Sequence, residues 1–352
     1  MMEKARRGGA IACMAAAVLA LVMGPGAKGS VQVSSAQADT VRMLIPGGQV
    51  VGVALKTQGV LVVSRMSHQE IKTPLRVGDV ILSVQGKEIA SAQELAQRVS
   101  EEDADSIELS VLRAGRAIRL TVAAPVSSTD GRRRLGVWVR DSTAGVGTLS
   151  YIDPDTQVYG ALGHAIVDGD TGDMLSVKDG AILRSDVVGV TRGERGRAGE
   201  LKGSFLKQGQ QIGTLQQNSV YGIYGTLQTQ MEDLLYPQGL PVGERGQVHE
   251  GSAVIISTVD GQGPKEYDVQ ILRCFDQDKP SQKGMILRVT DERLLEKTGG
   301  IVQGMSGSPI LQDGRIIGAL THVYLSDPTQ GYGMYIEWML EKSDALQTET
   351  AA

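Results

Sequence analysis

Aromatic residues are scarce, at 4% of 352 residues with two Phe and two Trp. Few large flat side chains mean small cores. With 45 glycines supplying turns, short strands are favoured over long helices. Cysteine is nearly missing. Cys13 lies in an apolar N-terminal run and Cys274 far from it, which excludes a disulfide framework. Histidine is equally sparse. His68, His164, His249 and His322 show no H-x-x-x-H pairing, so neither a metal nor another cofactor is expected. Charge of one sign is also lacking. Thirty-five basic and 40 acidic residues give a net charge of −5, with no global pull toward nucleic acid.

What is present begins with a targeting pattern. Lys4, Arg6 and Arg7 precede an apolar run from Ala10 to Met23. A positive segment before an apolar one of this length reads as a signal peptide or an uncleaved signal anchor over residues 1–26. The run is shorter than the ~20 residues of an ordinary membrane-spanning helix. Residues 27–45 are mostly small and polar and read as a tether to the membrane.

Residues 46–124 alternate short β-type runs with turns. Val50 to Ser64 offers two strands, and Ser106 to Ala124 a hairpin about Ala114-Gly115. Ser91 to Glu101 reads as a helix, with Ser91 as its cap and Glu94 three residues later. The string LRVGDVILSVQGKEI resembles bacterial PDZ domains, modules that bind extended peptides or C-termini by adding a strand to a sheet edge. That resemblance implies peptide contacts at Gly48, Val51, Gly52 and Val53. A PDZ-like unit acting only as a spacer is the alternative.

A polar, Arg-rich linker, residues 125–134, leads into residues 135–342, with a polar tail, residues 343–352, expected to fray. The long Gly-rich middle alternates without a helix of ordinary length, the pattern of an antiparallel β-barrel. Two short stretches carry chemistry. YGALGHAI sets His164 among small and apolar residues, and GMSGSPI sets Ser306 between glycines. A nucleophilic serine needs a nearby base, and an imidazole held by a hydroxyl is a natural partner. The amides of Gly304 and Ser306 are the candidate oxyanion donors.

YGALGHAI, TDERLLEKTGGIVQGMSGSPI and THVYLSDPTQGYGMYIEWML, behind a PDZ-like unit and a signal anchor, closely resemble the stage IV sporulation protein B family, the serine peptidases of spore-forming Firmicutes. The resemblance implies a mainly β fold, with the PDZ-like domain followed by a chymotrypsin-like double β-barrel. It implies Ser306 as nucleophile, His164 as base and Asp291 as acid. It further implies export from the forespore into the intermembrane space and self-processing, expected between Ala27 and Ile45. Cleavage of a membrane-bound regulator of an intramembrane metalloprotease would follow, activating a late mother-cell sigma factor. Three points stay open in the sequence. Asp291 lies close before Ser306 and far beyond His164, so a helix cap is the alternative reading of it, and Asp168 is a rival acid. The alternative to the enzyme is a PDZ adaptor with a degenerate protease fold.

Overall fold

The computed structural model describes residues 41–66, 73–128, 130–205 and 211–351. The signal segment, most of the tether and His68 lie outside these residues. The described chain from Val41 onward is a single compact unit, mainly strands.

Three cores organise it. The first is PDZ-like. Strand Ser106–Arg113 alternates buried Ile107, Leu109 and Val111 with outward Glu108 and Ser110, the period-2 signature of a half-buried strand. It pairs with Arg116–Ala123 and with Val80–Val84. Helix α1 (Ala92–Glu101) covers this sheet with Leu95 and Val99, and Ser91 Oγ accepts the Glu94 N–H at 3.1 Å.

The second core fills a ring of six strands. Val50–Arg65, Val137–Ile152, Val158–Ala161, Gly222–Thr226, Gln211–Thr214 and Val177–Thr191 follow one another. The ring closes at a bridge between Gly213 and Leu227. The third core fills a closed antiparallel barrel of Gly251–Ser257, Lys265–Cys274, Met285–Val289, Asp327–Tyr335, Arg315–Tyr324 and Pro309–Gln312.

Four expectations change. Val50 to Ser64 is not two strands but one, Val50–Arg65. Thr57 and Gly59 lie at a bulge in it, where Thr57 Oγ1 donates to the Gly59 carbonyl at 2.8 Å. Its first half lies in the six-strand ring and its second half in the PDZ-like sheet. Strand Val137–Ile152 bridges the same two sheets in the opposite direction. The expected linker, residues 125–134, therefore does not separate independent domains, because the PDZ-like sheet and the ring share their longest strands.

The tail does not fray as far as residue 351. Helix α3 (Ile336–Ala351) runs through it and carries Trp338 in its first turn. Ile336, Met339, Leu340 and Ser343 fall at helical spacing and are buried. Tyr151 Oη donates to Ser343 Oγ at 3.0 Å, locking the helix to the ring. Lastly, the tether ends before residue 45. Strand Met43–Pro46 pairs with Leu240–Pro241 and with Tyr151 and Ile152. Arg42 is held by Asp153 at 2.8 Å and Asp344 at 2.9 Å.

Candidate active site

The peptide contacts expected at Gly48, Val51, Gly52 and Val53 are not in a groove. Val51 and Val53 are buried in the six-strand ring. The strand segment carrying them is paired on both edges, with Val51 opposite Gly147 on one side and Arg184 on the other. No edge remains there for a peptide strand. Gly48 has φ +106° and abuts Ile256, while its carbonyl accepts Thr258 Oγ1 at 2.9 Å. It joins the ring to the barrel. The apolar alternation that reads as a PDZ strand is real, but period 2 does not say which sheet a strand enters.

A groove does exist elsewhere. It lies between α1 and residues 135–139, with a volume of about 620 Å³. Leu95, Ala96, Val99, Leu135, Val137 and Val139 line it. Strand residues 137–140 pair with the strand Val50–Arg65 on one edge only. The other edge faces α1, whose Ala92 N–H donates to Asp141 at 2.8 Å.

The serine loop and the turn that carries His164 come from different cores and are joined through Thr148, whose N–H donates to the Ser306 carbonyl and whose carbonyl accepts the Leu162 N–H. Strand Val158–Ala161 ends in two left-handed residues, Leu162 (φ +70°) and Gly163 (φ +68°). A leucine in this region is strained by about 1 kcal/mol or more, and the ring's core holds it there by burying the side chain. The turn thrusts His164 out of the ring toward the barrel. A Cβ on Gly163 would sit 3.1 Å from Thr321 Cγ2.

From the barrel side, buried Met305 anchors the serine loop in the core. Thr148 of the ring ties the loop down, its N–H donating to the Ser306 carbonyl at 3.1 Å and its Oγ1 to the Gly304 carbonyl at 2.7 Å. The Gly307 N–H donates to the Leu320 carbonyl at 2.7 Å. The amide N–H groups of Gly304 and Ser306 have no acceptor among the described residues, as donors awaiting an oxyanion would.

Ser306 and His164 are both partly exposed, so a substrate can reach them. Ser306 Oγ donates to the Thr321 carbonyl at 2.9 Å. His164 Nδ1 lies 2.9 Å from the Ala165 carbonyl. A carbonyl can only accept, so this contact puts the proton on Nδ1 and leaves Nε2 as a free acceptor, the tautomer a general base requires. Neither is hydrogen-bonded to the other.

The acid is different. Asp291 is the N-cap of α2 (Glu292–Thr298), accepting the Leu294 N–H. It also pairs with Arg293 at 2.6 Å and accepts the Asp268 N–H at 3.3 Å. The Arg293 guanidinium holds its carboxyl below the usual range, assisted by these N–H groups and opposed by burial. His164 is not among its partners. Asp168 is no better placed. Burial pushes its carboxyl up, but the Thr171 and Asp170 N–H groups and Arg140 outweigh burial and hold it below the ordinary value. The expected Asp291 triad contact is thus absent, because the helix-cap geometry consumes the carboxylate.

The two roles of Asp291 separate on substitution. Asn caps a helix as well as Asp, and Ala costs about 1 kcal/mol there. Asp291→Asn should keep kcat/KM within about tenfold of the parent, where loss of a true triad acid costs about 10⁴-fold. Steady-state kinetics on the folded variant decides it, and a 10⁴-fold loss would restore Asp291 to the triad.

Sequence reasoning passes over His322. Its ring centroid lies 5.8 Å from that of His164, with a 44° tilt. Burial, His164 and Lys283 together hold its imidazole below the ordinary pKa. It follows Thr321 directly, and THVY beside a hairpin is the only signal.

A ring and a closed barrel, joined beside a glycine-flanked serine loop, form a fold of the serine-peptidase kind. The SpoIVB peptidase S55 family matches residues 131–340, and the chain belongs to that family. It is a serine endopeptidase. Among curated proteins none matches. Among solved structures, the PDZ domain of an SdrC-like protein from Listeria monocytogenes is 17% identical (23% of this chain, 87% of that chain, TM-score 0.21). The active form of a protease from M. tuberculosis is 12% identical (58% and 74%, TM-score 0.32). The HtrA-type protease AlgW with a decapeptide is 10% identical (86% and 66%, TM-score 0.36). These overlaps are too loose to bear on the site. No helix among the described residues is long and apolar enough to cross a membrane.

Proposed function

We propose that Ser306 and His164 form the catalytic pair of this endopeptidase, with the Gly304 and Ser306 amides as the oxyanion hole. The observation that carries it is the meeting of the serine loop and the His164 turn through Thr148, Leu162 and Gly163. Ser306 Oγ must leave the Thr321 carbonyl and turn to His164 Nε2, a tightening common when substrate binds. Ser306 then attacks the scissile carbonyl while His164 takes its proton. The oxyanion meets the two amides. His164 returns the proton to the leaving amine, and water repeats the sequence on the acyl-enzyme. The Ala165 carbonyl fixes the tautomer throughout.

In the cell, the chain is exported on its N-terminal segment and tethered to the membrane until it cuts itself. Strand Met43–Pro46 is built into the fold, with Leu44 fully buried. The self-cleaved bond therefore lies before Arg42. The finer biological role is sporulation signalling, in which the enzyme cuts a membrane-bound regulator of an intramembrane metalloprotease and thereby activates a late mother-cell sigma factor. In a spore former deleted for its own enzyme, this chain should restore regulator cleavage and the Ser306→Ala form should not. Failure of the parent chain to do so would reject this role.

The groove beside α1 takes peptides with a free C-terminus. Its strand edge is open, and Arg132, at its mouth, has no side-chain partner among the described residues, whereas Arg133 and Arg134 are paired to Asp105 and Asp130. A peptide ending in an apolar residue should bind, measured by fluorescence anisotropy, and its C-terminal amide should bind at least about tenfold more weakly, as expected when a charge-assisted hydrogen bond is lost. Ala96→Trp, which fills the groove, should abolish binding. Equal binding of acid and amide, or no effect of Ala96→Trp, would remove this role. Binding alone, without hydrolysis, is the adaptor reading, and it has no use for a serine loop tied to the His164 turn.

A further inference from the structure

We propose that Lys283 is a specificity-determining residue. Its ammonium seats an acidic side chain of the peptide being cut, and in self-processing that side chain is Asp39. The inference rests on the reading of Ser306 as nucleophile and of a self-cleaved bond before Arg42.

Lys283 stands near the end of a barrel loop, residues 275–284, between strands Lys265–Cys274 and Met285–Val289. The Phe275 N–H donates to the Gly284 carbonyl at 2.8 Å and closes the loop at its base. Two contacts tie the loop across to the six-strand ring. Tyr221 Oη donates to the Pro280 carbonyl at 3.2 Å, and Gln282 Nε2 donates to the Val220 carbonyl. A third contact ties it to the site. Thr321 Oγ1 donates to the Gln282 carbonyl at 3.0 Å, and the Thr321 carbonyl is the group that holds Ser306 Oγ. Lys283 thus follows directly on the residue that braces Thr321, on the same rim as the nucleophile.

The ammonium is exposed, yet it is held. It lies over the Tyr332 ring, 4.8 Å from the centroid, which restrains a side chain that otherwise samples many rotamers. Tyr332 pairs with His322 of the neighbouring strand, and the charge of Lys283 helps to hold the His322 imidazole below its ordinary pKa. Tyr324 stacks edge-on with Tyr332 at 4.6 Å between centroids. Burial and the contact with Tyr332 push the Tyr324 hydroxyl up to about 12, so it carries no charge near neutrality. The loop has two carboxylates of its own, Asp276 and Asp278, and neither is ion-paired with Lys283 among the described residues. The rim beside Ser306 therefore presents a positioned cation bordered by neutral phenols. Such a surface favours a carboxylate on the substrate and opposes a lysine or arginine.

The chain itself carries a matching residue. From Ala27 to Arg42 the one carboxylate is Asp39, in the run Ala36-Gln37-Ala38-Asp39-Thr40. Asp39 lies outside the described residues, and strand Met43–Pro46 is fixed in the fold. An extended peptide advances about 3.3 Å per residue, so a side chain that reaches Lys283 from the rim stands within about three residues of the bond at Ser306. The self-cleaved bond is thereby placed within about three residues of Asp39.

The test is a charge swap on the full chain, read with two peptides. One copies residues 31–42 and the other carries Asp39→Lys. The parent should cut the second at least about fivefold more slowly in kcat/KM, the worth of a partly exposed ion pair. That preference should shrink between about 0.05 and 0.5 M salt, because exposed charges are screened. Lys283→Gln should cut both peptides about equally, and Lys283→Glu should reverse the order. In the protein, Asp39→Lys should slow self-processing, and adding Lys283→Glu should restore it, with the new N-terminus read by sequencing. Melting curves confirm that each variant folds. A residue that only shaped the loop would lower both rates together and could not reverse them. Equal cutting of the two peptides by the parent, or the parent's order kept in Lys283→Glu, would overturn the proposal. So would a parent that cuts casein and neither peptide. Casein also separates the levels. If Ser306→Ala is inactive on it and Lys283→Glu keeps the parent's order, only the role of Lys283 is wrong. If the parent is inactive on casein and on both peptides, or Ser306→Ala is active, the reading of the site itself fails and the proposal with it.

Discussion

Ser306→Ala is expected to abolish peptide hydrolysis, with a loss of about 10⁶-fold in kcat, while the protein stays folded. The size follows from how a serine peptidase works, because the nucleophile and its base act as a unit and removing either removes nearly the whole effect. The protein should tolerate the change. Ser306 is partly exposed, and its hydroxyl contributes one hydrogen bond, to the Thr321 carbonyl. Water can take that place, so stability should move by no more than about 0.5 kcal/mol. The loop is held by other groups, Met305 in the core and Thr148 across the junction. If the proposed self-processing before Arg42 holds, the same variant should remain full length. Hydrolysis by the purified, folded variant at the parent rate would remove Ser306 from the chemistry.

The second large effect is structural. Gly307→Ala should both inactivate and destabilise the protein. Gly307 has φ +98°, and an added Cβ would lie 2.2 Å from the Thr148 carbonyl oxygen and 2.6 Å from the Leu162 nitrogen. Both are backbone atoms of the six-strand ring, and they cannot yield separately. Leu162 N–H donates to the Thr148 carbonyl at 3.1 Å, and Thr148 N–H donates to Ser306 at the same distance. A methyl group there would prise the serine loop from the His164 turn. Backbone strain and overpacking together should cost about 3–5 kcal/mol, or roughly 10 °C in melting temperature. Gly314→Ala is the control. It has φ +72° but nothing within 4 Å of its Cβ, so only the conformational cost of about 1 kcal/mol remains. Equal melting temperatures for the two variants would show that the junction is looser than described.

The features of the molecule that sequence reveals are those where chemistry is local. Ser91 and Glu94 mark a helix start because a cap is satisfied within one turn. Asp313-Gly314 marks a hairpin because both residues must adopt positive φ, at +51° and +72°. The glycines around Ser306 announce a strained turn for the same reason. What stays hidden depends on partners far along the chain. Val51 and Val53 have the alternation of a sheet strand, and only pairing with residues near 145 and 183 gives them to the ring rather than to a peptide groove. The tail looks polar in one dimension, yet Ser343 is buried because Tyr151 needs a partner there. Asp291 carries both of its readings in its sequence, and the geometry around Arg293 and Leu294 gives it the cap. His322 has almost no local signal, since its neighbour His164 is reached across the junction of ring and barrel.

The most direct measurement is covalent. The parent, Ser306→Ala and His164→Ala proteins would each be treated with a fluorophosphonate, digested and mapped by mass spectrometry. The predicted result is a single phosphonylated residue, Ser306, in the parent, no label in Ser306→Ala, and labelling slowed by at least about 10³-fold in His164→Ala, since an unassisted hydroxyl is a weak nucleophile. Labelling of another serine at the parent rate, or of Ser306 equally fast without His164, would contradict the account.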